Sequence, residues 1–130
     1  MKSKYGFGKT VLCTFDVALE KVKKELEKEG FGILTEIDVS ATLKRKLNQE
    51  MPPYLILGAC NPQLAHRALE VDPSSGLLLP CNVVVRQDVK DNVHIEFMDP
   101  EAMLRLVDKP EVGPIAEEVR QRLERIMEAL

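Results

Sequence analysis

The sequence predicts an α+β fold, with a mostly antiparallel sheet of about five strands and helices packed on one face. Helical and strand periodicities alternate along the early part of the chain. Later, two alternating apolar stretches flank a short polar turn, which indicates an antiparallel hairpin. The composition is 45% hydrophobic and 30% charged, and 130 residues suit a single domain, 1–130.

The first half of the chain predicts two strands, each followed by a helix. A strand over residues 5–13 leads to Thr14, a residue type that caps helices. Apolar residues then recur every three or four positions until Gly30, which suits the left-handed position after a helix. Residues 31–37 alternate as a strand does, and 38–47 predict a short helix.

A third strand and helix are predicted in the middle of the chain. Residues 54–59 form a continuous apolar run typical of a central strand. Asn61 and Pro62 follow it, and they are favoured at the cap and the first position of a helix. A turn is predicted over residues 72–76.

The last part predicts a hairpin and two helices. The apolar segments of 77–85 are interpreted as one long strand that is interrupted at Pro80. A turn joins it to a strand over 93–97. Asp99-Pro100 repeats the signal for a helix start, and an apolar stripe over 115–130 predicts the final helix.

Charge and composition argue against several classes of partner. The net charge of −3 and the pI near 5.5 oppose nucleic-acid binding, which favours a basic surplus. The runs 54–57 and 77–79 are far too short for a membrane span, and the charged residues 1–6 precede no apolar signal segment. Three cysteines without a paired motif fit reduced thiols, so we expect a cytoplasmic protein.

Common catalytic signatures are weak in this sequence. Gly8-Lys9-Thr10 resembles the end of a phosphate-binding loop, but Ser3 stands where that pattern needs a glycine. The two histidines, His66 and His94, are both expected to face solvent.

Two cysteine–asparagine corners are the main candidates for chemistry. Cys60 precedes a predicted helix start, where the helix dipole can lower a thiol pKa when the thiol is partly exposed. Cys81 has a similar apolar strand before it. The plainer interpretation is that both cysteines fill the core, as cysteines often do. No paired Cys-x-x-Cys motif is present, so no metal site is predicted.

The same corners could instead bind a small molecule. Asn61 and Asn82 offer amide donors and acceptors beside apolar strand ends, and Pro62 opens a helix whose N-terminus favours anions. The plainer alternative makes Asn61 only a helix cap and Asn82 only a residue of a bulge.

These segments also resemble a known family. Gly-Ala-Cys-Asn-Pro at 58–62, Leu-Leu-Pro-Cys-Asn-Val at 78–83 and Asp99-Pro100 are similar to the bacterial and archaeal domain of unknown function 302. The segments 29–32 and 35–38 match its early part. The resemblance implies a TATA-binding-protein-like α+β fold and a homodimer. It implies no activity and no cofactor.

Three functional hypotheses follow. The first is a dimeric module that binds an anionic or polar metabolite through Cys60, Asn61, Pro62, Cys81 and Asn82. The second is a thiol enzyme or redox sensor that uses Cys60 as its catalytic residue, with or without Cys81. The third is an interaction dimer without a site.

Overall fold

Strands and helices follow one another in the order that the sequence predicts. The structure is a computed structural model that describes residues 2–130, so Met1 of the predicted domain lies outside the described residues. The elements are β1 (Gly6–Val11), α1 (Phe15–Lys28), β2 (Gly32–Asp38), α2 (Val39–Leu47), β3 (Tyr54–Cys60), α3 (Pro62–Val71), a 3₁₀ helix (Pro73–Leu78), β4 (Cys81–Gln87), β5 (Val93–Met98), α4 (Pro100–Leu104) and α5 (Val112–Ala129).

The strands form one five-stranded sheet in the order β1-β5-β4-β3-β2. Every neighbouring pair is antiparallel, which confirms the predicted fold class. The first strand therefore pairs with the last, and β1 and β2 are the edges. Pairing β1 with β5 joins parts of the chain that are far apart in sequence, so helix and strand periodicity alone does not predict it.

Side-chain caps fix the starts of several helices where the sequence predicts them. The Thr14 hydroxyl accepts a hydrogen bond from the backbone N–H of Val17 at the start of α1. The Asp99 carboxylate accepts two backbone N–H bonds at the start of α4. Gly30 follows α1 with a φ of +85°, a conformation that costs a glycine little.

One face of the sheet is covered by α1 and α5. Strand residues at alternate positions, such as Leu57, Val83 and Ile95, are fully buried against the apolar stripes of these helices. Removing a side chain of this size from water contributes about 1.5–3 kcal/mol. The amphipathic pattern therefore sets which face of the sheet becomes the core.

The opposite face of the sheet bears a different set of side chains, and we call it the open face. Its residues occupy the alternate strand positions, and they include Thr10 on β1, Tyr54 on β3, Asn82 and Arg86 on β4, and His94 and Glu96 on β5. All of these are exposed or partly exposed. The open face is therefore accessible to other molecules.

The predicted strand at Leu77–Leu79 is wrong. Residues Pro73–Leu78 form a 3₁₀ helix, and β4 begins only at Cys81. The Asp72 side chain caps this helix by accepting from the Ser74 N–H, with Pro73 at the first helical position. The apolar run does not form a strand here, and Leu77 is largely exposed rather than buried in a sheet.

No helix within residues 2–130 is both long enough and apolar enough to cross a lipid bilayer.

Candidate functional site

The first cysteine–asparagine corner lies where β3 meets α3. Cys60 is the last residue of β3, and Asn61 is the cap of α3 with Pro62 after it. The Asn61 Oδ1 atom accepts the Leu64 backbone N–H at 3.2 Å, and the side chain is 9% exposed. The amide oxygen is therefore already used by the helix that it starts.

The two cysteines lie beside each other. Cys81 is opposite Ala59 in the β3–β4 register, one residue from Cys60. Together with Asn61 they line a cavity of about 20 Å³. This space has room for about one water molecule and not for a metabolite.

Burial makes both thiols weaker acids. It raises the pKa of the Cys60 thiol above its ordinary value. Burial, and then the nearby Cys60, raise the pKa of Cys81 to about 12. The pKa lowering that the sequence suggested for Cys60 is not found, because loss of hydration disfavours the thiolate. A reactive thiolate at this corner is therefore opposed by its surroundings.

Asn82 faces the opposite side of the sheet from its neighbour Cys81. Cys81 is buried under the helices, and alternation along β4 places Asn82 on the open face, where it is exposed. The structure thus brings Cys60, Asn61 and Cys81 together but leaves Asn82 apart. The alternation of buried residues at 83 and 85 was the sequence signal for this separation.

Asn82 lies instead in a groove of about 430 Å³ on the open face, which we call the Asn82 groove. Its polar lining includes Asn82 and Glu96. Its larger apolar and aromatic lining residues include Tyr5, Tyr54, Val84, Met98 and Met103. A groove of this size, apolar with a few polar groups, has the dimensions and composition of small-molecule sites.

The charge inside the Asn82 groove is partly neutralised. The Arg86 Nε–H donates to Glu96 Oε1 at 2.6 Å, and both side chains are about one-third exposed. Ion pairing leaves the second carboxylate oxygen of Glu96 able to accept a further hydrogen bond. The groove therefore offers acceptors at Glu96 and Asn82, and a donor at the Asn82 amide.

A second polar cluster lies farther along the open face and includes His94. The Thr10 Oγ1 atom is 2.8 Å from His94 Nδ1, and His94 Nε2 is 2.8 Å from Asp88 Oδ2. The His94 side chain is 12% exposed, so the expectation that it faces solvent is wrong, because neighbouring polar groups enclose it. Thr10 and Asp88 are not predicted from the sequence as partners of His94. Only the pairing of β1 with β5 brings Thr10 to the imidazole.

His66 and the Gly8-Lys9-Thr10 segment have ordinary surroundings in the structure. His66 is exposed as expected and forms a pair with Glu70 at 3.0 Å. Gly8-Lys9-Thr10 lies inside β1, where Lys9 Nζ donates to the Met127 carbonyl. Among residues 2–130 there is no group of three or more His, Cys, Asp or Glu side chains placed to hold a metal ion.

The model of the family described as domain of unknown function DUF302 matches residues 7–130. The chain belongs to the DUF302 family. The match includes both cysteine–asparagine corners and Asp99-Pro100, the segments that suggested the resemblance.

A solved DUF302 structure has the same fold. The crystal structure of an uncharacterised conserved DUF302 protein from Bacillus stearothermophilus superposes with a TM-score of 0.90 and 28% sequence identity. The alignment covers 98% of each chain. No curated protein matches this chain significantly. Family membership and the α+β fold are thus established for this DUF302 chain, and the TATA-binding-protein-like likeness stays an expectation.

Proposed function

We propose that this DUF302 protein binds a small polar molecule in the Asn82 groove. One observation supports the proposal above the others: the predicted site residue Asn82 lines a groove of about 430 Å³, whereas the Cys60–Asn61–Cys81 cavity holds about 20 Å³. The first volume fits a metabolite and the second does not.

The groove lining indicates the chemistry of the ligand. Tyr5 and Tyr54 provide aromatic surface, and Met98 and Met103 provide adaptable apolar contacts. Asn82 and Glu96 favour a ligand that donates hydrogen bonds. We therefore propose a planar, uncharged polar compound. The anionic alternative depended on the N-terminus of α3, where Asn61 already accepts one of the free N–H groups.

A thermal-shift and calorimetric screen tests this proposal. The probes are adenine, uracil and nicotinamide, with phosphate and citrate as an anionic set. A ligand at 100 times its Kd stabilises the native state by about 2.7 kcal/mol. We expect a planar polar probe to raise the melting temperature of the wild type but not of Asn82→Ala, and Asn61→Ser to keep the shift.

Two results would contradict the proposal. Either a probe that shifts Asn82→Ala as much as the wild type, or a shift lost only in Asn61→Ser, would locate binding away from the groove. If no probe shifts the melting temperature at millimolar concentration, the alternative of an interaction dimer without a site is favoured.

We also propose that the protein is a homodimer through the β2 edge. β2 is an edge strand that pairs with β3 on one side and with no other strand of residues 2–130 on the other, and Leu34 and Ile37 on it are 64% and 49% exposed. Leu47 on the adjoining α2 is 63% exposed. Exposed apolar side chains on a free edge favour pairing with another strand. At the other edge, a bridge between Lys2 and Phe7 occupies part of β1.

Sedimentation velocity tests the dimer with a matched pair of substitutions. Leu34→Lys places a charge on the β2 edge, and we expect it to give a monomer. Leu77→Lys changes an even more exposed leucine, 89% accessible, away from that edge, and should leave the dimer intact. A wild-type monomer at micromolar concentration, or equal effects of the two substitutions, would refute the β2 interface.

A further inference from the structure

The polar cluster of Thr10, His94 and Asp88 forms a continuous hydrogen-bonded chain on the open face. A hydroxyl, an imidazole and a carboxylate are joined by two contacts of 2.8 Å each. Distances of this size are those of a nucleophile, its general base and the group that orients the base. We call these three residues the Thr10 relay.

The chemistry of Asp88 fixes the direction of the chain. An ionised carboxylate only accepts hydrogen bonds, so the His94 Nε2 atom must carry the proton that it donates to Asp88. In the neutral imidazole the Nδ1 atom is then an acceptor, and the Thr10 hydroxyl donates to it. The basic nitrogen therefore faces the hydroxyl of Thr10, as activation of an alcohol requires.

Asp88 is held firmly in this position by the β4–β5 turn. Its Oδ1 atom accepts the backbone N–H groups of Lys90 and Asn92, and the Asn92 side chain donates to Oδ2. These bonds, with that from His94 the largest contributor, hold the pKa of Asp88 below its ordinary value. The carboxylate thus stays charged and fixed, which orients the imidazole.

The surroundings leave the Thr10 hydroxyl accessible. Thr10 is exposed, and its neighbour on the same face of β1, Gly8, has no side chain. Arg86 lies directly opposite His94 on β4. Its Nε–H is paired with Glu96, and its terminal nitrogens have no hydrogen-bond partner among residues 2–130. Strand β5 separates Arg86 from Thr10, so this cation is not part of the Thr10 relay.

We propose that the Thr10 relay is an acyl-transfer site that hydrolyses small esters. The Thr10 oxygen attacks the ester carbonyl, and its proton passes to His94 Nδ1. The carbon–oxygen bond to the alcohol breaks, and the alcohol leaves with that proton. Water then attacks the acyl-threonine with the help of His94, releasing the carboxylic acid and restoring the hydroxyl. Thr10 and His94 are catalytic residues, and Asp88 is a positioning residue.

This proposal does not depend on binding in the Asn82 groove, because the relay consists of different residues. The groove and the relay can therefore fail separately: loss of groove binding in Asn82→Ala tests the first, and loss of acylation in Thr10→Val tests the second.

The test uses the full chain with p-nitrophenyl acetate at pH 8. Peptide mass spectrometry should find one acetyl group on Thr10 at early times, with a burst of p-nitrophenol. Thr10→Val removes the hydroxyl but keeps the shape and the strand preference, and should abolish both signals. Thr10→Ser should retain them.

The remaining variants assign the roles. His94→Gln should slow acylation by roughly 100-fold or more, as expected for loss of a general base. Asp88→Asn should slow it less and shift its pH profile, a change that a purely structural role would not produce. Thr35→Ala is the control, since Thr35 is an exposed threonine of the open face without an imidazole partner among the described residues.

Two outcomes would overturn the proposal. One is an unmodified Thr10 while surface lysines acquire acetyl groups. The other is a hydrolysis rate that Thr10→Val and His94→Gln leave unchanged although circular dichroism shows both variants folded. In either case the cluster has only a structural role, which is to hold β1 against the β4–β5 turn.

Discussion

The two asparagines of the cysteine–asparagine corners should respond to alanine substitution in opposite ways. Asn61 is 9% exposed and caps α3 through the bond from its Oδ1 atom to the Leu64 N–H. Asn82 is exposed and has no side-chain hydrogen bond among the described residues. Asn61→Ala should therefore lower the free energy of unfolding, whereas Asn82→Ala should weaken only ligand binding.

The size of the stability loss follows from the cap. Replacing an asparagine cap by alanine costs about 0.5–2 kcal/mol. The buried Leu64 N–H would also lose its partner, so a value of about 1–2 kcal/mol is expected for Asn61→Ala. A surface change such as Asn82→Ala should stay within about 0.5 kcal/mol. Asn61→Ser supplies another capping oxygen and should recover most of the loss.

Urea denaturation followed by circular dichroism measures these differences. The midpoint should fall for Asn61→Ala at an unchanged slope, and its melting temperature should drop by roughly 3–10 °C. The capping role of Asn61 would be refuted if Asn61→Ala were as stable as the wild type, or if Asn82→Ala lost more stability than Asn61→Ala.

Two further predictions concern pH and thiol chemistry. Because the pKa of Asp88 is below its ordinary value of 3.8 in the folded chain, this carboxylate contributes stability above that pH and loses it as the pH falls further. The stability of Asp88→Asn, measured by urea denaturation at each pH, should therefore decline less than that of the wild type below about pH 4. An equal decline of Asp88→Asn and the wild type would contradict this. Burial raises the pKa of Cys60 and Cys81, so iodoacetamide should label both more slowly in the folded chain than in urea, as read by peptide mass spectrometry. Equal labelling rates of Cys60 in the two states would show that burial does not protect this thiol.

Local signals in the sequence predicted most of the elements. Thr14, Asn61 and Asp99 start helices where their side chains can accept backbone N–H groups, and Gly30 ends α1. Such signals act over a few residues, so a single sequence contains them. The same local physics explains the failure at Leu77–Leu79, because the Asp72 cap and Pro73 outweighed an apolar run.

The candidate site was only partly predictable. The sequence analysis predicted Asn82 as a candidate binding residue and grouped it with Asn61, although Asn82 lies on the open face and Asn61 starts α3 beside the buried Cys81. Strand alternation contained this information, since Cys81 and Val83 face the core and Asn82 lies between them. The sequence does not predict Thr10 as a nucleophile, because its partner His94 is 84 residues away along the chain.

The sequence alone predicts the α+β class and, apart from the 3₁₀ helix at Pro73–Leu78, the order of the helices and strands. These follow from the spacing of apolar side chains and from short-range capping, which act along the chain. Only the tertiary structure decided that β1 pairs with β5, that Asn82 opens onto a groove, and that burial keeps the thiols protonated. Strand pairing and desolvation depend on contacts between distant segments, and such contacts exist only after the sheet has formed.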